Sequence, residues 1–413
     1  RRAIRKRTKA TLTIATLNMK GKSAITDPIP LNKWREVNNM MKQRRIGVLA
    51  LQETHLTQLD VEAINRMYGR RLQIHYSSNP TNANQHGVAI VLNRELTNTM
   101  GVKETDLIPG RATLLRIPWH ATLIITILNV YAPNDPHENA AFWASLHAKW
   151  TTLRLPSPDI LCGDFNLVEN AADRAPPHCD AEAATTALSN LTDALYLRDG
   201  WRTVYPDTRN YTFSQPNGRS LSRIDRIYAA DHVVENALDW TIETCPVPSD
   251  HLLVTVTIKD RKAPYVGRGR WTMPLHLTTD HELMSTAQTR GAKLLRDIKT
   301  SLTQRTATRN AQTLFEEFKD DILAKAKKRA RTAPSKVELA LTKLQADRLA
   351  TIRDPAFNTD PALREHAGIL LKRIAQLTHQ KNKFSKAQSA AHYRIEGEHP
   401  SKYWSSINIA KTP

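Results

Sequence analysis

The stretch Leu161-Cys162-Gly163-Asp164-Phe165-Asn166 constrains the fold more than any other in this 413-residue chain. A short apolar run ends in an acid and an amide two positions apart. Successive side chains of a strand point to opposite faces, so Asp164 and Asn166 project to one side while the chain stays extended. Gly163 lets the backbone pass closely at the strand's end. A polar, acidic stretch from Glu169 to Asp180 follows and places the pair at the mouth of a loop. Alone, Gly-Asp-Phe-Asn is also compatible with an ordinary turn, because Asp and Asn hydrogen-bond locally in turns.

The same arrangement recurs along the chain. Thr11–Leu17 alternates and ends at Asn18; Ile46–Leu51 runs into Gln52-Glu53-Thr54-His55. Ala112–Ile117 and Leu123–Tyr131 suggest an antiparallel pair, the second ending in Asn129-Val130-Tyr131-Ala132-Pro133. Arg223–Tyr228 reads as a strand carrying Asp225, and Ser249-Asp250-His251 precedes the alternating Leu252–Ile258. Further strands are expected at Leu72–Ser77 and Gly87–Leu92. Helical spacing marks Lys33–Arg44, Asp60–Tyr68, Glu138–Thr152 and Ala181–Leu195. Phe142, Trp143, Leu146 and Trp150 share a stripe that reads as core. Strands alternating with helices, and many hairpin-like pairs, predict an α/β domain with mixed sheets.

Charge divides the chain. The formal net charge is +19, yet residues 11–260 are close to neutral. Six of the first ten residues are basic, and residues 261–413 hold 29 basic against 14 acidic side chains. Basic flanks suit a polyanion, since phosphate contacts release condensed counterions. Residues 1–10 read as a basic tail, 11–260 as the α/β domain, 261–280 as a basic linker and 281–413 as a basic helical connector. No run of 18 apolar residues exists, so no membrane span is expected. Cys162, Cys179 and Cys245 show neither a disulfide framework nor zinc-ligand spacing; Cys162 reads as a buried small hydrophobe. A start without Met and an abrupt end suggest a fragment of a longer polyprotein or of a degraded gene.

Polar groups therefore gather at strand ends: Asn18, Glu53, Tyr131, Asp164, Asn166, Asp225, Asp250 and His251. Carboxylates, amides and a histidine so placed suit metal-assisted phosphodiester cleavage. Mg²⁺ prefers hard oxygen ligands and keeps several waters, so one or two carboxylates suffice to hold it. The metal polarises a phosphoryl oxygen, and a base orients or deprotonates water.

Six motifs stand in order: Leu17-Asn18, Leu51-Gln52-Glu53-Thr54, Asn129-Val130-Tyr131-Ala132-Pro133, Gly163-Asp164-Phe165-Asn166, Ser222-Arg223-Ile224-Asp225-Arg226-Ile227 and Ser249-Asp250-His251. Over residues 11–260 this order resembles the endonuclease/exonuclease/phosphatase superfamily of DNase I and the apurinic endonucleases. Tyr211-Thr212-Phe213, Asp199-Gly200-Trp201-Arg202 before Tyr205-Pro206, Gly269-Arg270-Trp271 and Pro400-Ser401-Lys402-Tyr403-Trp404 bring it closest to the endonuclease domains of non-LTR, LINE-like retrotransposons.

The resemblance implies a four-layered α/β sandwich, two packed mixed sheets flanked by helices, followed by a mainly helical extension that precedes a reverse transcriptase domain. It implies a Mg²⁺-dependent endonuclease, with Mn²⁺ able to substitute, that nicks double-stranded DNA and leaves a 3′-hydroxyl. Glu53 is then the principal metal ligand, with Asp250 assisting. Asp164 handles the attacking water, Asn166 holds water and phosphate, and His251, oriented by Asp225, contacts the scissile phosphate. Tyr131 donates to phosphate, and Asn18 stands behind the metal. Thr212, Ser249, Lys20 and Arg202 are expected to contact nucleic acid. Lys20 departs from relatives, which often carry Asp or Asn there; a cation at that place either contacts DNA or weakens the metal's outer shell. Element RNA on the basic C-terminal region, and a nuclear location, follow from the same resemblance. An apurinic-site repair enzyme and a catalytically silent nucleic-acid-binding relic are the competing readings.

Overall fold

A computed structural model describes residues 8–396, apart from 10, 24–31, 83–84, 120–122, 216–219, 260–264, 267–270, 272, 304 and 334. Most of the basic tail and linker and the Pro400–Trp404 segment lie outside the described residues.

Two six-stranded mixed sheets form. The first contains β1 (Thr11–Asn18), β2 (Ile46–Gln52), β3 (Leu72–Ser77), β4 (Val88–Asn93), β11 (Ala237–Glu243) and β12 (Leu253–Lys259), in spatial order β11-β12-β1-β2-β4-β3. The second contains β5 (Lys103–Ile108), β6 (Ala112–Pro118), β7 (Ile124–Tyr131), β8 (Ile160–Asp164), β9 (Leu197–Asp199) and β10 (Asp225–Ala230), in order β9-β10-β8-β7-β6-β5. Helices α1 (Lys33–Gln43) and α2 (Gln58–Tyr68) cover the first sheet, α3 (Pro136–Thr152) and α4 (Glu182–Ala194) the second. The four expected layers are present.

Period-two burial explains the layering. Ile14, Val48, Ala50, Ile127, Ile160 and Cys162 meet between the sheets. Their neighbours Ala15, Leu49 and Leu51 face Trp34, Val37 and Met40 of α1, while Leu128 and Leu161 face Phe142, Trp143 and Leu146 of α3. Each such fully buried large side chain contributes roughly 1.5–3 kcal/mol. The aromatic stripe of α3 is core, as expected.

The register decides where the polar residues go. β1 runs parallel to β2, pairing Asn18 with Gln52, and β7 runs parallel to β8, pairing Tyr131 with Asp164. Antiparallel β10 sets Asp225 opposite Asp164. Parallel strands finish at the same edge, so the ends gather there. A buried amide clamp joins the sheets just below. Asn129 Nδ2 donates to the carbonyls of Leu51 at 3.0 Å and Ala89 at 2.9 Å, and Gln52 Nε2 donates to Asn129 Oδ1 at 2.7 Å.

β5, β9, β11 and the short helices α5 (Gly200–Val204) and α6 (Asp231–Asn236) lack a sequence signature. β5 and β11 are sheet edges with exposed polar residues, so they carry little hydrophobic alternation.

Helices α7 (His281–Ser301), α8 (Ala311–Thr332), α9 (Lys336–Arg353) and α10 (Pro361–Glu396) follow. Compact units do not keep chain order: among the described residues, those from Lys9 to Tyr265 group with those from Leu344 onward, and those from Val266 to Lys343 form a second unit. In the second unit α7 pairs with α8 around Leu277, Leu283 and Ala326, with Arg329 bridging Asp280 at 2.6 Å. In the first, Ile352, Phe357 and Ala367 bury against Ala175, Tyr211 and Leu221. No helix among the described residues is long and apolar enough to cross a membrane.

Asn129→Leu should take one partner from the Gln52 amide, which keeps its bond to Thr16 Oγ1, and the side-chain donor from two interior carbonyls. Each unsatisfied buried group costs about 1–3 kcal/mol, so thermal unfolding should begin about 5–10 °C lower than in the wild type. An unchanged melting temperature would show that the clamp contributes nothing.

Candidate active site

Asn18, completely buried at the end of β1, is the hub. Its Nδ2 donates to Glu53 Oε1 and to Asp164 Oδ2, both at 2.9 Å. Glu53 follows β2 and Asp164 ends β8, so one amide ties acids from both sheets. Glu53 Oε1 also accepts from the Tyr131 hydroxyl at 3.0 Å. Asp164 Oδ1 accepts the Asn166 backbone N–H at 3.0 Å, and Asn166 Nδ2 donates to the Ala132 carbonyl at 2.8 Å.

Local backbone geometry aims these groups. Lys20, Glu53 and Asn166 all have φ of +50°. That left-handed conformation is uncommon outside glycine and needs support from its surroundings. Gly163 has φ of +147°, and a Cβ there would lie 1.9 Å from the Val130 carbonyl oxygen. No other residue fits where β8 approaches β7.

Asp225 Oδ2 accepts from His251 Nδ1 at 2.8 Å, and the His251 ring leans on Phe213 with centroids 4.8 Å apart. This bond keeps a proton on Nδ1, so that Nε2 is a second donor when the ring is an imidazolium. Thr212 is fully buried, and its hydroxyl accepts the Asp225 N–H at 3.0 Å. Ser249 Oγ donates to the Asn18 carbonyl at 2.6 Å and accepts the His251 N–H at 3.1 Å. Among the described residues, ligand atoms of one trio, Asp164, Asp225 and His251, lie within 4.8 Å of one another. Asp225 Oδ1 is buried with no hydrogen-bond partner.

The structure thus brings Asn18, Glu53, Tyr131, Asp164, Asn166, Asp225 and His251 together. Asp250 stands at the rim, its carboxylate 2.7 Å from Lys20 Nζ. Two residues expected against nucleic acid do not line the cluster. Thr212 is inside and positions Asp225. Arg202 is held by the Asp173 carboxylate and donates to the carbonyls of Tyr205, Pro206 and Thr208.

Sequence reasoning passed over three contributors. Lys33 Nζ donates to the carbonyls of Met19 (2.6 Å), Lys20 (2.8 Å) and Gly21 (3.0 Å) and shapes the loop that carries Lys20. Arg111 lies 5.4 Å over the Tyr131 ring and donates to His86 Nε2 at 2.9 Å. These are long-range contacts with no local pattern. The third, the Gln52–Asn129 clamp, lies within two quoted motifs, and its two amides were the available signal.

Burial dominates the electrostatics. It pushes the Asp164 carboxyl up to about 7, with repulsion from Asp225 adding and His251 opposing. For His251 burial opposes the charge, but the Asp225 carboxylate prevails and pushes the imidazole up to about 9. Burial and the nearby Glu53 raise the Tyr131 hydroxyl far above its ordinary value, so it stays a donor.

Two packed mixed sheets with carboxylates, amides and a histidine at shared strand ends define a phosphoesterase-type sandwich. The chain belongs to the Endonuclease/Exonuclease/phosphatase family, whose sequence profile matches residues 15–251. It is 31% identical over 248 residues to the Transposon TX1 uncharacterized 149 kDa protein of Xenopus laevis, covering 59% of this chain and 18% of that protein. The chain thus spans less than a fifth of that relative's length. Its fold is shared with the AP endonuclease LMAP from Leishmania major, at a TM-score of 0.51 and 18% identity over 61% of this chain and 88% of that one. An AP endonuclease from Archaeoglobus fulgidus aligns at a TM-score of 0.48 and 22% identity, over 60% and 99% respectively.

Both raised values make the metal-free protein less stable as pH rises. The protonated Asp164 stabilises the fold fully below its ordinary 3.8, and that contribution is lost through about 7. The charged His251 stabilises it fully below 6.5, and that contribution is lost through about 9. With chelator present, the melting temperature should fall between pH 6.5 and 9.5, and His251→Asn should flatten the upper part of that decline. A melting temperature that climbs over this range would contradict the assignment.

Proposed function

We propose that the chain is a divalent-metal-dependent DNA endonuclease that nicks one strand of duplex DNA and leaves a 3′-hydroxyl, the end from which a retroelement primes reverse transcription. The observation that carries this reading is the Asn18 amide that joins Glu53 to Asp164, with the ligand atoms of Asp164, Asp225 and His251 within 4.8 Å of one another. The transposon relative and the basic charge of the chain support DNA as the substrate.

The donor set fits a hard divalent cation. Glu53 and Asp164 present carboxylate oxygens held by one amide, and Asp225 keeps an unpartnered buried oxygen. Carboxylate oxygens suit Mg²⁺, and Mn²⁺ can substitute. Glu53 is the principal holder, beside Asp164. Asp250 is engaged with Lys20 and acts at the rim. When bound, the ion offsets the charge that develops on the phosphoryl oxygens.

The chain's own residues do the rest. Asp164 orients the attacking water and takes its proton. The water oxygen bonds to phosphorus as the P–O3′ bond breaks. The departing O3′ takes a proton from solvent and leaves as the 3′-hydroxyl, opposite a 5′-phosphate. His251, kept cationic by Asp225, donates from Nε2 to a non-bridging oxygen. Tyr131 turns its hydroxyl from Glu53 to donate toward the same phosphate, and Asn166 fixes the loop beyond Asp164.

The test uses the whole chain, supercoiled plasmid and Mg²⁺. Wild type should convert the plasmid to nicked circles that a DNA polymerase extends. Asp164→Ala should slow nicking by about 10²–10⁴-fold while leaving DNA binding in place. Glu53→Ala should raise the Mg²⁺ concentration needed. Equal nicking by all three proteins would sink the reading, and cleavage confined to plasmid bearing abasic sites would replace it with a repair enzyme.

A further inference from the structure

The family match ends at residue 251 and the last strand of the sandwich at Lys259, yet the compact unit continues from Leu344. The returning segment buries itself on the part of the nuclease that orients His251. Phe357 stacks on Tyr211 with centroids 6.1 Å apart and an interplanar angle of 19°. The next residue, Thr212, receives the Asp225 N–H on its hydroxyl and the Leu252 N–H on its carbonyl at 2.7 Å. Arg364 donates to the carbonyls of Phe357 and Asn358 and fixes the turn into α10. Along α10, Ala367, Leu370 and Ile374 are buried at helical spacing, and Ala367 packs with Ala175, Tyr211 and Leu221 of the nuclease.

Beside that face lies a cavity of about 240 Å³. Ser249, Asp250 and His251 line one side, with Lys20 at hand. Gly368, Leu371, Lys372 and Ala375 of α10 line the other. These four helical positions are spaced three and four apart and share one face. The volume is below the roughly 300–1,000 Å³ of pockets that enclose a drug-sized ligand, and so suits a fragment such as one nucleotide. Its lining combines apolar Val247, Leu252 and Leu371 with the ammonium group of Lys372 and the Lys20–Asp250 ion pair. That composition matches a base and a phosphate. Because His251 is both a wall of the cavity and the proposed phosphate donor, a strand held at His251 carries its neighbouring nucleotide past this opening.

We propose that α10 is part of the substrate-binding face: it forms the outer wall of a one-nucleotide subsite beside His251, where Lys372 meets the phosphate flanking the scissile bond. The proposal rests on the DNA-endonuclease reading. It makes the segment after Leu344 a working part of the nuclease and not only a connector.

Binding of a labelled duplex to the full chain in chelator, followed by anisotropy across a salt series, tests it. Lys372→Ala should weaken binding several-fold at moderate salt and reduce the slope of log K against log salt by about 0.9, one phosphate contact. Ala375→Trp, at an exposed position, should fill the cavity and weaken binding while leaving the melting temperature unchanged. Arg373→Ala, which removes a neighbouring exposed cation that does not line the cavity, should change the slope less than Lys372→Ala. An unchanged slope in Lys372→Ala, or an equal loss in Arg373→Ala, would overturn the proposal while wild-type nicking leaves the endonuclease reading standing. A wild type that neither binds nor nicks DNA would overturn both.

Discussion

One amide joins acids that belong to different sheets. Asn18 Nδ2 donates to Glu53 from the first sheet and to Asp164 from the second. Two carboxylates brought close in a buried setting repel, and each is costly to desolvate. A shared donor offsets both effects and fixes their separation. The sandwich makes this possible because β1 and β2, and β7 and β8, are parallel neighbours whose ends fall at one edge. The Gln52–Asn129 clamp holds the sheets one layer below. A slip of one residue in any of these strands would turn its polar end away and bury the wrong face.

The site is a balance of opposed charges more than a row of acids. Asp225 lies opposite Asp164 and bonds His251, so the same carboxylate raises both neighbours. His251 is consequently a cation, and Asp164 is held near the point where it can exchange a proton. A general base works best with its pKa near the working pH, which suits the role assigned to Asp164.

Most of the sandwich could be read from the sequence because its signals are local. Alternation in Thr11–Leu17, apolar runs in Ile46–Leu51 and helical spacing in Glu138–Thr152 each specify an element within a few residues of its bounds. Strand ends bearing Asn18, Glu53, Tyr131, Asp164, Asp225 and His251 marked the site for the same reason. What escaped depends on contacts distant in sequence. Thr212 looks like a surface hydroxyl until β10 covers it, and Arg202 looks like a DNA contact until Asp173 claims its guanidinium. The docking of Phe357 on Tyr211 spans well over a hundred residues and has no periodic signature. Edge strands such as Lys103–Ile108 escaped because exposure removes the alternation that reveals a strand.

The central claim is that Asn18 assembles the metal-holding acid and the water-handling acid into one site. It is tested most directly by the Mg²⁺ dependence of plasmid nicking in Asn18→Ala, with folding checked by thermal denaturation. A group that orients metal ligands from behind typically changes metal affinity or activity by about 10–100-fold when removed. The account predicts a folded protein whose nicking rate or Mg²⁺ affinity falls by that factor. A folded Asn18→Ala protein that nicks at the wild-type rate, with wild-type Mg²⁺ dependence, would contradict it.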